Sequence, residues 1–152
     1  MLGVVLILIA LIRFNLSALP EPGRLETRFS DLAKRFFIQR ASRHGVPPRP
    51  LDTKASVAAG LTDYGLDCSM CHDNDGQAQN PPGRWMYPRA ADLTSNRVQS
   101  YSDEELFWII QNGIRLTGMP AFGRAESADH IWDLVNYVRT LPGGLTSEDS
   151  TK

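Results

Sequence analysis

Two cysteines and a histidine lie close together in the segment CSMCH, which covers positions 68–72. The chain has 152 residues and no other cysteine. Cys68 and Cys71 are three positions apart, so in a helix both sulfurs lie along one turn, and His72 follows directly. Thiols at this spacing serve three kinds of chemistry, namely dithiol redox exchange, zinc binding and covalent attachment of haem c.

The surrounding sequence favours the third chemistry. A dithiol redox pair is expected beside a strand–helix unit, and the sequence has no convincing strand pattern. A zinc site needs four ligands, and the sequence has neither a second CxxC nor a spaced pair of histidines. In a haem c site, two cysteines bond to the haem vinyl groups and the adjacent histidine becomes the proximal iron ligand. The segment therefore predicts one covalent haem c held by Cys68, Cys71 and His72.

A second axial ligand should come from one of the four methionines. One methionine lies in the apolar first segment, and Met70 lies between the cysteines and cannot reach the opposite face of the haem. Met86 follows His72 by only fourteen residues, in an irregular loop. Met119 lies 47 residues after His72 in the segment TGMPAFG, and Pro120 favours an extended backbone there. The sequence therefore favours Met119 over Met86 as the sixth ligand.

Three helices are predicted around this segment. The first covers about Lys54–Tyr64, before the cysteines. Ser102 and Glu105 form a capping box that opens the second, which Gly113 would end. The third covers about Ala128–Leu141, where apolar residues recur at helical spacing.

A long stretch between the first two helices, residues 73–101, is rich in Pro, Gly, Asn and Asp and is interpreted as an irregular loop. Irregular loops of this length inside a small domain are normally functional, or ordered by something other than protein.

Taken together, these segments resemble the class I cytochrome c family, in its small bacterial mono-haem type. The resemblance covers about residues 58–142 and rests, in this order, on AAGLTDYGLDCSMCH, YPRAADLT, SDEELFWIIQNGI, GMPAFG and IWDLVNYVRTLP. It implies an all-α cytochrome c fold, with three main helices around one covalently bound haem that also orders the long loop. It implies too that the first and last helices cross, so that Gly60 and Tyr64 meet residues 132–137. The chain departs from the family at Asp73, where a glycine commonly follows the histidine.

The resemblance also implies further residues at the haem. Those expected along its propionate edge are Trp85, Tyr87 and Arg89. Those expected in its apolar wall are Leu93, Phe107, Ile110, Ile114, Pro120 and Phe122. The Nδ1 atom of His72 should donate a hydrogen bond to a backbone carbonyl, and Pro81 and Pro82 are the candidates for that carbonyl.

Iron held by a histidine and a methionine has no open position, so one-electron transfer is the expected function and an electron carrier rather than an enzyme is expected. The expected partners are electron donor and acceptor proteins within a membrane respiratory or photosynthetic complex, and no nucleic acid. Two alternatives stay open. One is a haem enzyme or a gas or redox sensor with a displaceable methionine; the other is a structural or assembly role for the haem.

The first fifty residues differ in character from the rest. Residues 1–12 form the uncharged apolar run MLGVVLILIALI. A full membrane span needs about 20 apolar residues, which this run reaches only by including Arg13. An uncleaved membrane anchor or signal over residues 1–19 is expected, with a buried soluble helix as the alternative. Because haem c is attached outside the cytoplasm, the expected localisation is a membrane-anchored protein with its haem domain in the bacterial periplasm.

A basic amphipathic helix and a proline-rich linker, VPPRP, are expected over residues 20–50. The apolar stripe of this helix consists of Leu25, Phe29, Leu32, Ala33, Phe36 and Phe37. The net charge is +5 over residues 13–49 and −6 from residue 51 onward. This helix is expected to lie on an anionic membrane surface or to dock on a partner subunit; a surface helix packed on its own domain is the alternative. The cytochrome c domain is expected over residues 51–143 and a disordered tail over 144–152.

Overall fold

The structure, a computed structural model, describes residues 3–5, 17–50 and 54–141. Its helices are α1 (Arg24–Ala41), α2 (Lys54–Asp67), α3 (Ser69–His72), α4 (Pro81–Trp85), α5 (Asn96–Gln99), α6 (Asp103–Asn112) and α7 (Ala128–Thr140). A 3₁₀ helix, Phe122–Arg124, lies between α6 and α7, and residues 3–5 are also helical. The described residues contain no strand, and the predicted all-α fold is confirmed.

Helices α2 and α7 cross at a glycine. A Cβ atom added at Gly60 would lie 2.0 Å from the carbonyl oxygen of Asp133 and 2.9 Å from the Cβ of Tyr137. The rings of Tyr64 and Tyr137 pack beside this point, with their centroids 5.0 Å apart. The predicted meeting of the first and last helices is therefore confirmed, and only glycine permits so close an approach of the two backbones.

Helix α6 begins and ends where the sequence predicts. The Oγ atom of Ser102 accepts a hydrogen bond from the amide of Glu105 at 3.2 Å, and the Glu105 carboxylate accepts one from the amide of Ser102 at 2.7 Å. Gly113 ends the helix with a φ of +64°. The hydrophobic core lies between α2, α6 and α7, where Phe107 packs on Trp132 with ring centroids 4.6 Å apart.

The predicted irregular loop contains two short helices, α4 and α5. Each begins with a side-chain cap, because Asn80 accepts a hydrogen bond from the amide of Gly83 and Ser95 accepts one from the amide of Val98. Pro81 occupies the first position of α4, where its missing N–H costs nothing. The sequence therefore held the signals for both helices, a polar cap in each case and a proline in one.

Helix α1 packs on the body of the protein through its polar side. Ile38, on that side, is 3% exposed, and the guanidinium of Arg35 donates hydrogen bonds to Ser100. Large apolar side chains of the helix, each between 61% and 83% exposed, are Leu25, Phe29, Leu32, Phe36 and Phe37. This arrangement agrees with the alternative prediction, a surface helix packed on its own domain. The helix nevertheless turns its apolar stripe outward and not toward that domain. We call these five side chains the outer face of α1.

The expected membrane-anchored localisation is wrong. Among the residues that the structure describes, no helix has the length and apolar character needed to cross a bilayer. Residues 1–2 and 6–16 of the predicted anchor, and the predicted tail, lie outside the described residues.

Candidate haem site

A cavity of about 1130 Å³ brings together the segments that the sequence analysis selected. Cys68, Cys71 and His72 line it from α3 and the residue before that helix. Met119 and Pro120 line it from the segment that follows α6. Two motifs that are 47 residues apart in the sequence thus meet at one cavity.

His72 is held by the backbone of the long loop. Its Nδ1 atom lies 2.8 Å from the carbonyl oxygen of Ala91. Because a carbonyl can only accept, Nδ1 carries the proton and Nε2 is left for a metal. Burial lowers the pKa of His72, against the opposing effect of the Ala91 hydrogen bond. The neutral imidazole, which is the form that binds metals, is therefore favoured.

The expectation that Pro81 or Pro82 supplies this carbonyl is wrong. Both prolines lie in the first turn of α4. The chain then returns past His72, because the amide of Ala90 donates to the carbonyl of Gly83 at 2.9 Å and the amide of Leu93 donates to that of Gly76 at 2.8 Å. Ala91 lies between these two hydrogen bonds, and its carbonyl is thereby held beside His72.

The environment of the cysteines does not suit dithiol chemistry. Both are free thiols. Burial, followed by the charge of Asp67, raises the pKa of Cys68 to about 12, whereas a reactive redox cysteine has a lowered pKa. Over residues 3–5, 17–50 and 54–141, no three His, Cys, Asp or Glu side chains are grouped to hold a metal ion. The dithiol and zinc alternatives therefore lose support.

Asn80 fixes the short helix α3 and was missed by the sequence analysis. Its side-chain amide donates hydrogen bonds to the carbonyl of Ser69 at 3.0 Å and to that of Met70 at 2.7 Å. The backbone of Gly83 also packs tightly against α3, because a Cβ added at Gly83 would be 2.1 Å from the carbonyl oxygen of Cys71. The start of α4 thus seats the turn that carries both cysteines.

A tight loop presents Met119. The amide of Met119 donates to the hydroxyl of Thr117 at 3.2 Å, and that hydroxyl donates to the carbonyl of Ile114 at 2.7 Å. Gly113 closes the base of the loop, since a Cβ added there would lie 2.6 Å from the backbone of Pro120. The backbone around Met119 is therefore fixed from both sides.

A second sulfur lies beside this loop. Met86 lines the same cavity, and a Cβ added at Gly118 would lie 2.6 Å from its Sδ atom. Both methionines are half-buried. The structure therefore brings Met86 nearer to Met119 than its place in the sequence indicates, and Met119 as the iron ligand stays a prediction.

The other predicted residues divide into three groups. Those that line the cavity are Tyr87, Arg89, Ile114, Pro120 and Phe122. Phe107 and Ile110 belong to the buried core, and Leu93 packs against it. Trp85 is 77% exposed and lies outside the cavity lining.

Tyr87 and Arg89 both contact carboxylates of the N-terminal segment. The Tyr87 hydroxyl donates to Glu26 at 2.5 Å, and the Arg89 guanidinium pairs with Glu21 at 2.5 Å. Both glutamates also line the cavity. No sequence signal predicts this contribution, because the helical pattern of α1 identifies its apolar side without indicating what its polar side meets.

The residues that line the cavity fit a haem c. Two free thiols and a neutral imidazole with its Nε2 free come from one segment, and a thioether comes from another. This set of ligand atoms matches covalent attachment with histidine–methionine ligation.

Comparisons with known proteins support a cytochrome c domain. Residues 55–138 match the family described as cytochrome C oxidase, cbb3-type, subunit III. None of the curated proteins compared with the chain matches it. Among solved structures, a chain of the reducing HAO-like protein complex of Kuenenia stuttgartiensis is similar, with a TM-score of 0.59 and 24% identity. The match covers 64% of this chain and 48% of that one, so the likeness spans about half of the solved chain and supports the fold alone.

Proposed function

The chain belongs to the cytochrome C oxidase, cbb3-type, subunit III family, whose members have a class I c-type cytochrome domain, and on this premise we propose that it is an electron carrier with one haem c. The family implies haem c and electron transport. The proposal adds that Cys68 and Cys71 bond to the haem and that His72 and Met119 hold its iron.

The observation that supports this proposal best is the single cavity lined by all four of these side chains. Haem c, when bound, supplies one-electron exchange between two oxidation states of iron. His72 contributes the free Nε2 of a neutral ring, and the carbonyl of Ala91 fixes the orientation of that ring. Met119 contributes a sulfur on a loop whose backbone is fixed.

A histidine and a methionine together leave the iron no open position, which favours a carrier over an enzyme. A methionine ligand raises the reduction potential, and burial of the site adds to that effect. A sensor or peroxidase would need a displaceable ligand.

Mass and redox measurements test the covalent carrier. The full chain should be produced in a host that attaches haem c, and the denatured protein weighed. We expect the mass of one haem, its loss in a Cys68→Ser/Cys71→Ser variant, and a titration that fits one electron. Haem that dissociates on denaturation, or rapid peroxide turnover by the native protein, would contradict the proposal.

The partner, we propose, is a redox protein that presents an apolar patch bordered by carboxylates to the outer face of α1. Exposed apolar patches of this kind mark interaction sites. Arg28 is exposed beside the stripe and Arg40 is exposed at its C-terminal end, and their charges would attract carboxylates and align the two proteins. The polar side of the helix is already occupied by contacts with the body of the protein.

Electron exchange with small redox proteins of known potential, one set acidic and one basic, tests this partner. We expect faster exchange with the acidic set, slowing as salt is added, and a slower rate in a Phe29→Ser/Phe36→Ser variant. The matched control is Leu61→Ser, at another exposed apolar residue. Equal rates in all variants, or binding of the protein to anionic lipid vesicles instead, would contradict this partner.

A further inference from the structure

The cavity has one wall that lies outside the cytochrome domain. Residues 17, 18 and 20–22 and the first three turns of α1 line it, and both precede the family match, which begins at residue 55. We call residues 17–34 the N-terminal wall. The family resemblance therefore assigns no role to this part of the haem site.

Three polar contacts attach the N-terminal wall to the long loop. Asp31 accepts two hydrogen bonds from the guanidinium of Arg97, at 3.0 and 3.2 Å. The other two contacts are Glu26 with Tyr87 and Glu21 with Arg89, both described above. The loop residues in all three contacts also line the cavity, so the wall is attached at the rim of the haem site itself.

Further along α1, two side chains anchor the helix to the domain. Arg35 donates hydrogen bonds to the hydroxyl and the carbonyl of Ser100, at 3.0 and 3.1 Å, and its guanidinium lies 5.1 Å from the ring centroid of Tyr101. Ile38 is the one apolar side chain of α1 that is buried. The helix is thus held at the cavity and again one to two turns beyond it.

The charges at this wall largely neutralise one another. The carboxylates of Glu21 and Asp31 pair with the guanidinium groups of Arg89 and Arg97, and Asp31 also pairs with Lys34 at 2.9 Å. A wall of paired charges acts on an approaching molecule mainly by occupying space. It should therefore exclude neutral and anionic molecules of similar size to the same extent.

We propose that the N-terminal wall is a fixed part of the haem site that restricts the access of small molecules to the haem. This inference rests on the proposed function, because it takes the cavity to be the haem site. Electrons would then be exchanged with a partner protein at the haem edge that the wall leaves open or across the wall, while small reductants and oxidants are kept away.

Reduction kinetics of the full-length, haem-loaded protein test the proposal. An Asp31→Ala/Arg35→Ala variant removes one contact at the cavity and one beyond it. The control, Arg43→Ala, removes an exposed charge that lies just beyond the end of the same helix and outside the cavity lining. Stopped-flow reduction is followed with ascorbate, an anion, and with durohydroquinone, which is neutral. Hydrogen exchange of the α1 amides reports in parallel whether the helix has been released.

We expect the first variant to exchange its α1 amides faster and to be reduced several-fold faster by both reagents, by the same factor. The control variant should match the parent. Unchanged rates with a released helix, or acceleration with only one reagent, would overturn the proposal. If hydrogen exchange shows that α1 stays attached in the first variant, Ile38→Ser is added to it, which removes the buried anchor of the helix. The reduction rates with the two reagents are then compared in this triple variant.

These outcomes are separate from those that test the function. A protein that does not retain haem covalently, or is not redox-active, contradicts the proposed function. A protein that retains haem, titrates with one electron and shows equal reduction rates with α1 attached or released contradicts only the role of the N-terminal wall.

Discussion

Two helix contacts in this structure are built from different interactions. Where α2 crosses α7, the backbone at Gly60 meets the carbonyl of Asp133, and Tyr64 beside it is 1% exposed. Where α1 meets the loop, Asp31 pairs with Arg97, and the two side chains are 33% and 52% exposed, respectively. Close apolar packing depends on shape and is insensitive to salt, whereas exposed ion pairs are weak and screened by salt. The crossing therefore supports the fold, and the attachment of α1 can change without loss of the fold.

Breaking the crossing should have the largest effect. In Gly60→Ala the new Cβ would lie 2.0 Å from the carbonyl oxygen of Asp133, so α2 and α7 must separate. We expect a loss of roughly 4 kcal/mol or more in the free energy of unfolding, measured by denaturant titration of the haem-loaded protein. The matched control is Gly65→Ala in the same helix, where the added Cβ would have no neighbour within 4 Å apart from the adjoining residues and backbone of that helix. It should be neutral or stabilising by up to about 1 kcal/mol; similar losses in both variants would contradict the account.

A change at Asp73, in the turn that follows α3, should have the next largest effect on the free energy of unfolding. Asp73 has φ +65° and ψ 167°, a backbone conformation that glycine adopts without strain. Asp73→Gly relieves that strain but loses the hydrogen bond that the Asp73 carboxylate accepts from the amide of Asn74 at 2.8 Å. We expect a net gain of about 1 kcal/mol in the free energy of unfolding. Asp73→Ala should be destabilising, because it loses the hydrogen bond and keeps the strain; a gain there as large as in Asp73→Gly would argue against strain as the cause.

Weakening the attachment of α1 should have a smaller effect, and one that depends on salt and pH. Burial raises the pKa of Asp31, but Lys34 and Arg97 outweigh it, so the pKa is lowered overall. A lowered folded-state pKa contributes stability that is present above the unfolded pKa, about 4, and is lost as the pH falls through the folded value. Asp31→Asn should cost below about 1 kcal/mol in low salt and less in high salt. Hydrogen exchange of α1 at pH 7 and pH 3.5 measures this; an Asp31→Asn protein with the parent's pH response would contradict it.

The smallest expected effect is at the polar edge of the α2–α7 crossing. The hydrogen bond to Glu126, followed by the charge of Asp63, raises the pKa of His130. A raised folded-state pKa contributes stability that is present below the unfolded pKa, about 6.5, and is lost as the pH rises through the folded value. The melting temperature of His130→Gln should therefore fall below that of the parent at pH 5.5 and approach it at pH 8. An equal difference at both pH values would contradict this sign.

The sequence predicted the parts of the fold that local patterns control. Helices α2, α6 and α7 follow from apolar spacing, the Ser102–Glu105 capping box and the terminal glycine, all of which act within a few residues. The direction in which α1 presents its apolar stripe does not follow from spacing, because the stripe shows which side is apolar and its neighbours depend on the whole fold. For the same reason Ala91 could not be chosen as the partner of His72, since its position depends on hydrogen bonds to Gly76 and Gly83.

The candidate site was predictable in its chemistry more than in its surroundings. Motif spacing selected Cys68, Cys71, His72 and Met119, and the structure brings all four to one cavity. The approach of Met86 to Gly118 and the contribution of Glu21 and Glu26 depend on contacts between distant segments, which single-chain patterns do not encode.

The most direct test of the central claim is the absorption spectrum of the haem-loaded protein with each cavity methionine replaced. Met119→Ala and Met86→Ala are compared with the parent when oxidised, and again when reduced under carbon monoxide. If Met119 is the sixth ligand, the parent and Met86→Ala show a weak far-red iron–sulfur band and no response to carbon monoxide, while Met119→Ala loses the band and responds. Loss of the band in Met86→Ala but not in Met119→Ala, or a response to carbon monoxide in the parent, would contradict the account.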